Sequence, residues 1–384
     1  MNSSWKLFRI FGIDIKLHLT WWFVFIIMIW SLSTNFFPEF FPGYAVKEYV
    51  LMGIIATILL FVSVILHELS HSLVAKLRNI PVESITLFFF GGVAGINDED
   101  IPPSSEFLMA IAGPLFSLIL AGVFFLLTTF STNVTLIATT FYLYQVNLVL
   151  ALFNLIPGFP LDGGRAFRAL LYWYSKDLKR STWIAVWGGK IFAVVLVLFG
   201  IIQLISQSGS GLWLLLLGGF IYIIAGAGYE QVLYREILNK VYVQELMSKK
   251  FITLKPEMKF SDFTQRYSNS EQEVFIVKDK TFCGILDMRR IQKTSPEVQE
   301  RITLQQLSLP LNLVRGLQKT DTAYTAFKRF TEEGQEVLPV YSKSKVVGYL
   351  TRTVLMHRLI WGLKYGVKSV SKVNKTAKKE ASHE

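Results

Sequence analysis

The sequence predicts a polytopic α-helical membrane protein, with six transmembrane helices and a re-entrant β-hairpin, followed by an α+β region of soluble type. Three observations carry this prediction. Of 384 residues, 52% are hydrophobic and only 17% are charged, against roughly 25% charged in an ordinary soluble domain. The apolar residues are concentrated: 17 to 230 is dominated by runs long enough to cross a bilayer core as helices, while 235 to 384 has soluble composition. Between the second and third runs, VESITLFFFGGVAGI (Val82 to Ile96) is β-branched and aromatic around a Gly-Gly pair, which reads as two short strands and a turn.

Six runs qualify as spans, at about 17–34, 50–78, 106–130, 135–156, 182–206 and 212–234. The first follows Lys6, Arg9 and Lys16 without a cleavable signal peptide, so it is expected to stay as an anchor, with Trp21 and Trp22 at the interface. The second is longer than a bilayer needs, so its last turns project past the centre. Backbone at membrane depth needs protein or a water-lined cavity around it, hence the expectation that 82–96 edges an internal cavity. Short polar turns at 130–135 and 206–211 join antiparallel spans. Six spans put both termini on one side. With that side cytosolic, the inner segments hold Lys6, Arg9, Lys16, Lys76, Arg78, Arg165, Arg168, Lys176, Lys179 and Arg180, and the outer loops hold Lys47 alone. The expected localisation is a cell membrane, multi-pass, with both termini cytosolic.

The net charge of +11 belongs to that asymmetry. No basic stripe with interleaved aromatics supports a nucleic-acid partner. A single cysteine, Cys283, excludes an internal disulfide framework and a four-cysteine zinc site. After Tyr234, residues 243–293 and 302–361 read as two copies of one unit: an amphipathic helix, a strand, a turn and a second strand, with EVFIVKDKTFCGIL in one and EVLPVYSKSKVVGYL in the other. The expected domains are 1–234 and 243–361, with a disordered tail at 368–384.

Chemistry concentrates in LHELSH. His67 and His71, at i and i+4, share a helix face and can hold one zinc ion, and Glu68 can reach a water there as general base. The competing reading, two surface histidines at a helix end, is weakened by the apolar run Phe61 to Leu66 just before them. A catalytic zinc takes three protein ligands and keeps an open position. The candidate third ligand is Asp162 in NLIPGFPLDGGR (Asn154 to Arg165), at the same membrane side as the histidines. Its prolines and glycines break the helix and allow close backbone approach. A helix N-cap role for Asp162 competes, as does Glu230 for the ligand position. Asn154 can donate to an oxyanion or serve as a turn residue. Asn147 can hold helices together or touch substrate, and Gly113 and Ser117 at four-residue spacing read as helix packing. His18 is expected at the interface, and His357 and His383 carry no assigned role.

HELSH, FFFGGVA, AGPLFS and NLIPGFPLDGGR occur here in the order seen in site-2 proteases, and residues 10–230 resemble that family, most closely its prokaryotic branch with six spans and a C-terminal pair of CBS motifs. The resemblance implies an intramembrane zinc metalloprotease with one zinc per chain held by His67, His71 and Asp162. It implies that Glu68 activates water and that Asn154 helps hold the substrate carbonyl. The implied substrates are single-span membrane proteins, and the hairpin at 82–96 would pair with an extended substrate strand.

Residues 243–361 resemble a CBS pair more loosely, as a cytosolic domain. There a Gly-apolar-apolar-Ser/Thr-x-x-Asp run contacts an adenine nucleotide. The corresponding runs, Gly284 to Arg290 and Gly348 to Val354, have Arg290 and Val354 in place of the Asp, and only Thr351 keeps the hydroxyl. This departure argues against nucleotide sensing and for packing, or a homodimer through the pair. The alternative class is a CBS-regulated transporter or channel with a structural metal site. It requires ionisable residues spread along a path through the spans, and here they gather at one point.

Overall fold

The structure is a computed structural model that describes residues 4–88, 91–96, 101–206, 211–267, 270, 272–291, 302–343 and 345–365. The predicted tail at 368–384 and the hairpin turn at 89–90 lie outside the described residues. The chain divides into two compact units, Met1–Glu230 and Gln231–Glu384.

The first unit opens with a hairpin, β1 (Ser4–Ile10) and β2 (Ile13–His18). Phe11 and Gly12 turn it with φ of 48° and 76°, the two left-handed residues that match the twist of paired strands. In β2, Ile13, Ile15 and Leu17 are buried while the residues between them are partly exposed, the period-two pattern of a half-buried strand. Then β2 pairs in parallel with β3 (Val82–Phe88), and β3 pairs antiparallel with β4 (Gly91–Ile96), in a four-stranded sheet of order β1-β2-β3-β4. The hairpin expected at 82–96 is therefore present, but it is not isolated. The N-terminal strands, read from sequence as a charged flank, extend its sheet.

All six predicted spans form helices long and apolar enough to cross a membrane. The first covers Thr20–Phe40 as α1 (Thr20–Ser31), a π-helical turn (Leu32–Phe36) and α2 (Phe37–Phe40), so it runs past the predicted end at 34. The others are α3 (Val46–Leu77), α4 (Pro103–Phe130), α5 (Val134–Asn154), α7 (Leu178–Ile205) and α8 (Gly211–Leu238). Between α5 and α7 lies α6 (Asp162–Ser175), a shorter amphipathic helix. Local chemistry sets the boundaries. The Glu48 carboxylate accepts from the Ala45 N–H at 2.8 Å, Asn133 Oδ1 accepts from Leu136 N–H at 3.0 Å, and Asp177 Oδ1 accepts from Arg180 N–H at 2.9 Å. Lys176, in the left-handed region with φ 57°, ends α6.

Outward-facing side chains such as Ile119, Phe125, Val194, Phe199, Leu216 and Ile223 are exposed, the surface that lipid covers. Two apolar cores form underneath. One joins β2 and β3 to the second half of α3 through Ile13, Ile15, Ile85, Leu87 and Leu69. The other joins the first helix, the first half of α3 and α5 through Phe37, Met52, Ala56 and Leu143. The rigid middle of this unit is thus α3, wedged between sheet and helices.

The second unit repeats one topology. In the first copy β5 (Ile252–Leu254) lies parallel to β6 (Val274–Lys278), which pairs antiparallel with β7 (Cys283–Asp287), and a helix (Phe260–Tyr267) connects β5 to β6. The same β7 also pairs with a short β8 (Leu309–Pro310). In the second copy β9 (Leu317–Gln318) lies parallel to β10 (Val337–Ser342), β10 pairs with β11 (Lys345–Thr351), and the connecting helix is Ala323–Glu333. The registers correspond, Val274 opposite Asp287 and Val337 opposite Thr351.

Candidate metal centre

The long helix α3 carries the first two donors. His67 lies about 21 residues from its start, roughly 31 Å along the axis at 1.5 Å per residue, near the far end of a bilayer-spanning length. At four-residue spacing His67 and His71 stack one above the other on the same face, and both are buried. Their Nε2 atoms are 3.2 Å apart.

The third donor comes from the start of α6. Asp162 Oδ2 lies 3.3 Å from His67 Nε2 and 3.2 Å from His71 Nε2. The competing N-cap reading of Asp162 does not hold: Asp162 is already helical, and Leu161 is the cap, its carbonyl accepting from the Gly164 and Arg165 N–H groups. Asp162 stands at the positive end of the helix dipole with its carboxylate turned to the histidines.

The loop before α6 is set by glycines that allow backbone to touch backbone. A Cβ on Gly189 of α7 would lie 1.8 Å from the Phe159 carbonyl oxygen, and one on Gly158 would lie 2.4 Å from the Gly189 nitrogen. The Phe159 N–H donates to the Ala185 carbonyl at 3.0 Å. Residues 157–159 therefore lie directly on α7, and Asp162 starts from a fixed platform.

Helix α4 orients the histidines from the other side. His71 Nδ1 lies 2.6 Å from the Met109 carbonyl. A carbonyl only accepts, so Nδ1 carries the proton and Nε2 presents its lone pair. His67 Nδ1 is 2.9 Å from Ser117 Oγ. Between them Gly113 leaves room, since a Cβ there would stand 2.2 Å from His71 Nε2 and 2.7 Å from His67 Nε2. Met109, Gly113 and Ser117 recur every four residues, one face of α4. Sequence reading took the Gly113–Ser117 spacing as helix packing. Packing is half of what it does, because the surface packed against is the pair of imidazoles.

The Met109 carbonyl fixes the lone pair of His71 at Nε2, and with Ser117 accepting from His67 Nδ1 the same holds for His67, so that three acceptor atoms, two imidazole nitrogens and a carboxylate oxygen, converge within 3.3 Å. Without a cation between them they repel. Zinc at about 2.0–2.1 Å from each nitrogen or oxygen ligand of a tetrahedral site sets those ligands about 3.3 Å apart, which is the spacing here, so the residues fit one zinc ion. The second nitrogen of each histidine is held by a partner, as metal-bound histidines require. Among the described residues, this is the group able to hold a metal, and Glu230 and His18 are outside it.

Glu68, next to His67 on α3, is partly buried. Asn154 is the last residue of α5, partly buried, and takes no part in the hydrogen bonds of the cluster. Asn147 is fully buried, its amide donating to the Leu143 carbonyl at 2.8 Å and to Ser63 Oγ of α3 at 3.3 Å, so it ties two helices together.

Comparison with known proteins points the same way. The family model of Peptidase family M50 matches residues 55–139 and 131–199, which enclose His67, Glu68, His71, Asn154 and Asp162. The chain is 31% identical over 363 residues to Rip3 of Mycobacterium tuberculosis, covering 91% of each chain. It is 30% identical over 356 residues to zinc metalloprotease MJ0392 of Methanocaldococcus jannaschii, covering 90% of this chain and 96% of that protein. Among solved structures it is similar to a site-2 protease from Methanocaldococcus jannaschii, with 35% identity, 59% of this chain and 95% of that one covered, and a TM-score of 0.41. A CBS domain, NE2398, is similar at 18% identity over 31% of this chain and 97% of that one, with a TM-score of 0.28. With a relative above 30% identity matched over nine-tenths of both lengths, the chain belongs to peptidase family M50, the site-2 protease family.

Proposed function

We propose that this protein is an intramembrane zinc metalloprotease that hydrolyses peptide bonds of single-span membrane proteins. The observation that carries the reading is the convergence of His67 Nε2, His71 Nε2 and Asp162 Oδ2 within 3.3 Å, with each histidine held at Nδ1 by α4. In this reading the three residues hold one zinc, which when bound supplies Lewis-acid activation of water and of the scissile carbonyl. Glu68 takes a proton from the attacking water and returns it to the amine as the C–N bond breaks. Asn154 donates to the carbonyl oxygen as it gains negative charge. The outer edge of β4, the last strand of its sheet among the described residues, accepts an extended segment of substrate by strand pairing, which exposes the peptide bond that a helix would shield. The zinc-metalloprotease naming of MJ0392 supports the same chemistry.

The domain assignment belongs to the same reading: a protease domain at 1–234 and a cytosolic CBS-type pair at 243–361, for which the repeated strand registers are the support. Both termini face the cytosol, on the distribution of Lys and Arg. The test is cleavage of a tagged single-span substrate in detergent by wild type and Glu68→Gln, with zinc measured on both. We expect cleavage by wild type alone and about one zinc per chain in each, as a three-ligand site requires. Equal activity of the two, or no metal in either, overturns the reading.

A further inference from the structure

Outside the donor cluster, an ion pair between a buried carboxylate and a partly buried guanidinium has no part in the chemistry described so far. Glu106, near the start of α4, is only 4% exposed. Arg168, on α6, turns its guanidinium onto it: Nε donates to Glu106 Oε1 at 2.9 Å, and Nη2 donates to the same oxygen. The Arg168 guanidinium also lies over the Phe159 ring, 4.9 Å from its centroid. One side chain thus joins the start of α4, the loop resting on α7, and α6.

The places of these contacts matter more than their number. Arg168 lies six residues after Asp162 on the same short helix. Glu106 lies three residues before Met109, whose carbonyl holds His71, and seven before Gly113, which faces both imidazoles. The ion pair therefore fixes the helix that carries the third donor to the helix that orients the other two. Burying a carboxylate under a guanidinium is a costly way to hold two helices together, and an apolar contact of similar size commonly does as well. What it adds is register, because two N–H groups of one rigid guanidinium converge on a single carboxylate oxygen, whereas apolar faces slide. A metal site tolerates little sliding: its donors must stay close to their bonded spacing.

We propose that Glu106 and Arg168 are a positioning pair that sets Asp162 against His67 and His71, so that zinc affinity depends on a salt bridge that touches neither metal nor substrate. The inference rests on the metal-centre reading above. Its signature is that the pair acts through Asp162. Replacing Arg168 should weaken zinc binding on the scale seen when supports of metal ligands are removed, about tenfold. The same replacement should have little effect once Asp162 no longer supplies a ligand.

The experiment is a double-mutant cycle on the full-length protein in detergent, with zinc affinity measured by chelator competition for wild type, Arg168→Gln, Asp162→Asn and the double variant. Arg168→Lys accompanies them, since it keeps the charge and loses the fork. We expect about a tenfold loss for Arg168→Gln in the wild-type background, a smaller loss for Arg168→Lys, and a loss of less than about twofold in the Asp162→Asn background, the sign of two residues that act as one unit. Equal losses in both backgrounds, or none in either, overturn the proposal. If wild type binds no zinc, the metal-centre reading fails first, a result distinct from both. Should Arg168→Gln not fold because Glu106 is left unpaired, the pair Glu106→Gln with Arg168→Gln leaves no buried charge and carries the same cycle.

Discussion

At Gly113 a Cβ would enter the space where the donor atoms of His67 and His71 converge. Alanine raises helix propensity by about 1 kcal/mol over glycine, so a purely local view predicts that Gly113→Ala stabilises α4. The structure predicts the opposite for the site. We expect Gly113→Ala to weaken zinc binding at least about tenfold, the scale on which disturbed ligand orientation acts. Gly122→Ala, on the same helix with nothing within 4 Å of its added Cβ, should leave zinc affinity unchanged. Chelator competition on the two variants decides the point, and similar affinities would mean that α4 can withdraw from the histidines. At this scale the sequence was legible for His67, Glu68 and His71, because helix spacing alone brings i and i+4 to one face. The same spacing in Met109, Gly113 and Ser117 was just as visible, but nothing in it says which neighbour the face meets.

The loop 155–161 and α7 behave as one element. Gly188 and Gly189 let α7 lie on the backbone of Pro157 and Phe159, where a Cβ would stand 2.5 Å or less from carbonyl oxygens. Backbone cannot rotate away as a side chain can, so Gly189→Ala must push α7 off the loop that leads to Asp162. We expect it to lower stability by about 1–3 kcal/mol, the usual cost of overpacking, and to weaken zinc binding as well. Gly219→Ala on α8 meets nothing within 4 Å and serves as control. Thermal unfolding of the two proteins tests this, and equal midpoints would refute the clamp. The sheet shows the limit of reading elements singly. Residues 82–96 were recognisable as a hairpin from their β-branched and aromatic composition. The strand Ile13–His18 has an equally clear alternation, yet its lysine and its closeness to the first span made it read as a charged flank. Its burial depends on β3, more than sixty residues away, and on the face of α3 behind both.

For the whole molecule, the distribution of Lys and Arg predicts which side each exposed segment faces. In a Cys283→Ser background, Thr132→Cys lies between α4 and α5 and Lys280→Cys lies in the second unit; both positions are exposed. An impermeant thiol reagent added to intact cells should label the first and spare the second. Labelling of both, or of the second alone, would reverse the topology and with it the cytosolic position of the C-terminal repeats.

The sequence by itself determined six spans, the pair of imidazoles on one helix face, and a twofold repeat after Tyr234. All of these are periodic or compositional properties, set by distances of a few residues along one chain segment. Only the tertiary structure decided that Asp162 lies inside α6 with Oδ2 within 3.3 Å of both imidazoles, that α4 holds both histidines at Nδ1, and that Arg168 turns onto the buried Glu106. These facts depend on contacts across 38 to 95 residues. Such contacts form only when helices pack at separations permitted by glycines, and no local pattern encodes the partner that each glycine will admit.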